Sequence, residues 1–147
     1  MEDDIRALTA RVAQLEAERD IGDLLARYAH LIDHGGGVEW VDCFTADGRF
    51  EVRRPGVEPS VVAGRDELTG FATSRPPAAV PSKHFTSQLT IDLDGDAAIC
   101  RSYFAILRDV DGDPALGFYG RYDDELVRGD DGRWRIASRV ANGESRR

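Results

Sequence analysis

The sequence predicts an α+β fold in which N-terminal helices cover one face of a cone-shaped, curved antiparallel sheet. Three observations carry this. Apolar residues recur every three or four positions up to residue 32, and strand-like runs replace them after residue 48. Those runs are separated by Asp94-Gly95, Asp111-Gly112-Asp113 and Gly129-Asp130-Asp131-Gly132, the residue types that hairpin turns require. Helices first and a meander second imply a two-layer arrangement. A bent sheet closed by helices leaves an open-ended hollow of the kind in which ligand pockets form.

The elements follow in order. Ile5, Leu8, Val12 and Leu15 form the stripe of an amphipathic helix over 3–19. At two heptads it is short for a free-standing coiled coil and reads as an arm packing on its own domain or on a second subunit. The pattern resumes with Ile21, Leu24, Leu25, Tyr28, Leu31 and Ile32 until Gly35-Gly36-Gly37 stops it. Short helices are expected over 38–44 and 66–73. The runs GRFEVRR (48–54) and PSVVAG (59–64) flank Pro55-Gly56 and predict a hairpin. Strands follow over 84–93, 96–109, 115–128 and 133–141, and RPPAAVP (75–81) is a Pro-rich loop inside a single domain spanning 1–147.

The chain has 147 residues, 41% of them hydrophobic, enough for one buried core. Acidic residues number 27 against 19 Lys+Arg, a net charge of -8 that disfavours nucleic acid or an anionic membrane as partner. Cys43 and Cys100 are far apart and lie in no ligand pattern, so they read as reduced, buried small hydrophobes, and no metal site is expected. No run approaches the ~20 apolar residues that span a bilayer, and a cytoplasmic protein is the simplest expectation.

The stretch ARYAHLIDHGGG (26–37) ends a helix on Asp33. A carboxylate there opposes the helix dipole at a cost of a few tenths to about 1 kcal/mol, unless a partner offsets it. The chain has three histidines, His30, His34 and His84, and His84 opens the first of the four late strand runs, just after a loop. An approach of His84 to Asp33 would offset the carboxylate and give a carboxylate-oriented general base. Two phase relations oppose this. Asp33 lies off the centre of the Ile21-Leu25-Tyr28-Ile32 stripe, and His84 alternates onto the face opposite Phe85, Leu89, Ile91 and Leu93. A bulge near Ser87 would change that register. Arg139 is likewise out of phase with Trp134 and Ile136. Among the aromatic residues most are core or interface, with Tyr103, Phe44 and Phe118 assigned to a cavity lining.

The runs AERDIGDLLARYAHLID, DCFTADGRFEV, KHFTSQLTIDLDGD and GRYDDELVRGDDGRWRIASR resemble the SnoaL-like branch of the nuclear-transport-factor-2-like superfamily over roughly residues 15–142. Scytalone dehydratase, bile-acid 7α-dehydratase and hexachlorocyclohexane dehydrochlorinase belong to this group. The resemblance implies an α+β barrel of cystatin-like type, no cofactor, a small hydrophobic partner molecule and a homodimer or homotrimer. It also implies that His84 is the base, Asp33 its support, Tyr28 a substrate-facing group and Arg139 an aid to the leaving group. The chain departs from scytalone dehydratase in lacking a second histidine in SYFAILRD and a tyrosine near Val52. The expected activity is that of a cofactor-independent lyase or isomerase, dehydratase-like, acting on a small oxygenated ring compound. A non-catalytic ligand-binding module of the same fold and a polyketide cyclase are the alternatives.

Overall fold

The computed structural model describes residues 1–74 and 80–144, so most of the RPPAAVP loop lies outside the described residues. The two expected N-terminal helices are one, α1 (Glu2–Asp33). No Pro interrupts the run around Arg19 and Asp20, Gly22 is carried within the helix, and Arg19 pairs with Asp23 one turn on. Burial on α1 begins only at Ala17 and continues through Ile21, Leu25 and Tyr28. The stripe of Ile5, Leu8, Val12 and Leu15 is exposed, so the arm does not pack on its own fold.

After α2 (Gly37–Val41), β1 (Phe44–Arg54) and β2 (Val57–Ala63) form the expected hairpin around Gly56, whose φ of 76° suits glycine. Phe44 therefore opens a strand where the sequence suggested the end of a helix. The helix α3 (Gly64–Thr73) starts two residues earlier than expected; Glu67 caps it by accepting the Ala63 N–H at 2.8 Å. Four long strands complete the fold: β3 (Lys83–Asp94), β4 (Ala97–Val110), β5 (Asp113–Arg128) and β6 (Trp134–Gly143).

The six strands make one sheet in the order β2-β1-β6-β5-β4-β3. Every neighbouring pair is antiparallel except β1 and β6, which run parallel and join the early hairpin to the late meander. The sheet curves around α1, and its concave face carries Phe104, Phe118, Tyr122, Leu126 and Ile136 against Ile21, Leu25 and Tyr28. Tyr28, Trp40, Phe44, Phe50 and Phe71 pack ring to ring between α1, α2, α3 and β1. Phe85, Ile99, Tyr103 and Tyr119 project from the convex face and are exposed. Among the described residues, no helix is long and apolar enough to cross a membrane.

Two irregularities decide which side chains face inward. In β3, Ser87 pairs with Tyr103 and Thr90 with Arg101, so β3 carries one residue more than β4 between those points. Gln88, at φ 53°, takes up the extra length. Alternation reverses across this bulge, and His84 shares the concave face with Ile91 and Leu93 while Phe85 turns outward. In β6, Leu126 pairs with Ile136 and Glu125 with Ser138, which leaves Ala137 as an extra residue. Arg139 consequently joins Trp134 and Ile136 on the buried side.

Candidate active site

Asp33 is the last residue of α1, and its side chain crosses to the start of β3. One carboxylate oxygen accepts the His84 backbone N–H at 2.9 Å, and the other lies 2.5 Å from His84 Nδ1. Both side chains are sheltered, 4% exposed for Asp33 and 10% for His84. Two donors thus offset the carboxylate at the negative end of the helix. A carboxylate accepts only, so Nδ1 carries the hydrogen and the imidazole lone pair lies on Nε2.

His84 lines a cavity of about 300 Å³ together with Tyr28, Ile32, Phe104, Phe118 and Tyr122. The cavity continues outward past Val52, Ile106, Arg54 and Arg108. Phe118 reaches into it because Gly143 has no side chain; a Cβ there would sit 2.1 Å from the Phe118 ring.

Tyr28 presents its ring edge-on to Tyr122, with centroids 6.4 Å apart. Its hydroxyl is buried and makes no hydrogen bond among the described residues. Burial pushes the phenol up to about 12, against the opposing pull of Arg139. Tyr28 therefore keeps its proton at neutral pH.

Arg139 stands behind the cavity wall. Its Nε and Nη2 donate to the two oxygens of Asp124 at 2.8 and 2.7 Å, and both side chains are almost fully buried. The two residues are direct cross-strand partners on β5 and β6. The guanidinium lies over the Tyr122 ring at 3.9 Å and the Tyr28 ring at 4.2 Å. Burial opposes its charge, but Asp124 outweighs this and the net shift is upward.

His84, Tyr28 and Phe118 line the cavity, with Asp33 held to His84, and three of the expected site residues lie elsewhere. Arg139 does not line the cavity, because its guanidinium is committed to Asp124 beneath the two tyrosines. Phe44, 2% exposed, lies in the aromatic cluster below Tyr28. Tyr103 alternates onto the convex face of β4 and is 59% exposed. Sequence reasoning did not assign Phe50, Phe104, Tyr122, Arg54 or Arg108 to the lining; the alternation Phe50-Val52-Arg54 and Phe104-Ile106-Arg108 was the signal that could have found them. Among the described residues, no three His, Cys, Asp or Glu side chains are grouped to hold a metal ion.

An α+β cone with a helix-end carboxylate and a strand-borne imidazole at its cavity defines a protein of the nuclear-transport-factor-2-like class. More narrowly, the chain belongs to the SnoaL-like domain family, whose model matches residues 13–140. Among solved structures it is similar to Rv3472 of Mycobacterium tuberculosis, described as of unknown function: 33% identity, 90% of this chain and 74% of that one, TM-score 0.78. A Catenulispora acidiphila protein in complex with S-DNPA shares 34% identity over 90% of this chain and 95% of that one, at a TM-score of 0.71. An NTF2-like protein with a cystatin-like fold from Novosphingobium aromaticivorans has 25% identity, covers 94% of this chain and 88% of that one, and gives a TM-score of 0.83. The comparison with curated proteins finds no match.

Proposed function

We propose that this protein is a cofactor-independent lyase or isomerase, dehydratase-like, that removes a proton from carbon in a small, largely hydrophobic oxygenated ring compound. The observation that carries the reading is His84, held by Asp33, at the wall of a half-open cavity whose inner part is lined by aromatic rings. In the first step His84 Nε2 takes the proton and Asp33 stabilises the imidazolium that forms. The electron pair of the broken C–H bond moves into a new double bond, and in a dehydration the C–O bond breaks. Tyr28 donates a hydrogen bond to the carbonyl or departing oxygen. Loss of its proton is disfavoured in that buried position, so the imidazolium returns the proton to the leaving oxygen and water departs. One histidine then serves as base and acid, which removes the need for the second histidine missing from SYFAILRD.

Arg139 supports this site from behind by holding the two tyrosine rings. The apolar convex face suits a homodimer or homotrimer, and the cytoplasm is the proposed location. A ligand-binding module is the second reading, favoured by the similar Catenulispora protein's complex with S-DNPA. Turnover of a panel of hydroxylated steroids and aromatic polyketides by His84→Gln and Asp33→Asn variants separates them. The enzyme reading expects turnover to fall by about 10²–10⁴-fold with ligand affinity retained; unchanged turnover, or none in the unaltered protein, leaves the binding module.

A further inference from the structure

The inward residues of β1 run Phe50, Val52, Arg54, and those of β4 run Phe104, Ile106, Arg108; all six line the cavity. Each strand thus passes from a buried aromatic ring through an aliphatic residue to an exposed guanidinium. The two arginines border adjacent residues of β5, Phe118 and Gly117. Arg54 Cζ lies 4.8 Å from the centre of that ring. The Arg108 stem lies against the neighbouring Gly117, where a Cβ would come within 2.9 Å of its Cδ. Gly117 is the extra residue of β5 opposite Ile106 and Leu107, so the backbone itself opens room for Arg108.

Acidic residues outnumber basic ones in this chain, and Arg19, Arg65, Arg128, Arg135 and Arg139 are all paired with aspartates. Arg54 and Arg108 make no ion pair among the described residues, although Glu58 also lines the cavity. Guanidinium groups recognise carboxylates through paired, charge-assisted hydrogen bonds.

We propose that Arg54 and Arg108 form an anion subsite at the cavity mouth, and that the ligand is an amphiphile whose ring body carries a carboxylate. The inference rests on the proposed function only in seating the ring body beside His84. It also sets a length. Ile106 is the cross-strand partner of His84, and Arg108 follows two residues later, about 7 Å along the strand. The carboxylate is therefore held roughly one ring's width from the carbon that faces the base.

Calorimetric titration with 1-naphthylacetate and with its neutral counterpart 1-naphthylacetamide tests the proposal. The unaltered protein should bind the acid on the order of tenfold more tightly than the amide. In Arg54→Gln/Arg108→Gln the preference should vanish while amide affinity stays the same, with circular dichroism confirming the fold. In His84→Gln it should persist, because it needs no base. Equal affinity for acid and amide, no binding of either, or a preference that survives in the arginine variant overturns the subsite. So does a preference lost only with His84. Failure of the enzyme reading looks different: turnover indifferent to His84→Gln with the acid preference intact.

Discussion

Asp33 grips His84 at two points, the ring Nδ1 at 2.5 Å and the backbone N–H at 2.9 Å, so one carboxylate fixes both the imidazole and the start of its strand. The ring is oriented from two directions, and its tautomer follows from the acceptor it faces.

The first prediction concerns that tautomer. With Asp33 accepting at Nδ1, ¹⁵N-detected NMR at pH 8 should show His84 as the Nδ1–H form. The His84→Gln variant identifies the signal among the three histidines. In Asp33→Asn the amide presents a donor where an acceptor is needed, so the Nδ1–H form should lose its dominance. A His84 signal of Nε2–H type in the unaltered protein would rule out Nε2 as the base.

Tyr28→Phe should separate stability from function. Its hydroxyl has no hydrogen-bond partner among the described residues, so removing it should leave the protein unchanged or up to about 1 kcal/mol more stable in urea. On the proposed mechanism, kcat should fall while the thermal midpoint does not. A large stability loss would mean that the hydroxyl is held by a contact the packing does not supply.

The pH dependence of stability has a definite sign at the alkaline end. Burial raises Tyr28 from 10.0 to about 12 and Cys100 from 9.0 to about 12. Above the ordinary values the unfolded chain gives up these protons before the folded one does, so unfolding is increasingly favoured as pH rises. The stabilising contribution is complete below pH 9 and is lost through pH 12. Tyr28 alone accounts for roughly 2–3 kcal/mol. Urea melts between pH 8 and 11 should show the decline, and Tyr28→Phe should flatten it.

Arg139 and Asp124 should behave as a unit. Arg139→Met alone leaves a buried carboxylate unpaired and should cost about 3–5 kcal/mol. The double variant Arg139→Met/Asp124→Leu should recover much of that loss. A double-mutant cycle with no coupling would show that the buried pair does not hold this part of the sheet.

The bulge at Gln88 can be tested by length as well as by identity. A left-handed backbone costs a non-glycine residue about 1–2 kcal/mol, so Gln88→Gly should gain about 0.5–1 kcal/mol after the added unfolded-state entropy. Deleting Gln88 instead should turn His84 to the convex face and separate it from Asp33. The Nδ1–H signature is the readout, and its survival in the deletion variant would contradict the register.

Much of the architecture was legible because it is written in local chemistry. Gly56 and the Asp-Gly turns marked the hairpins, and the four late strands fall within a few residues of their expected limits. The site was legible only in part. Asp33 at a helix end and a lone His84 at a strand start stand out as residue types, whereas strict alternation argued against His84 and Arg139. Both reversals come from a single extra residue, and no composition signal marks Gln88 or Ala137 as one. Tyr103 and Phe44 were misplaced for the related reason that an aromatic ring gives no sign of which face it takes. The parallel pairing of β1 with β6 joins strands far apart in the chain, and local patterns do not record it.

The extra residues at Gln88 and Ala137 also govern how this chain can be matched to others. A strand built without them shows the inside of the cone a side chain one place displaced, so counting straight across such a pair equates an inward group with an outward one. Transfer of roles by position needs a one-residue gap at each of these points, and a gap misplaced by a few residues is enough to swap His84 for Phe85.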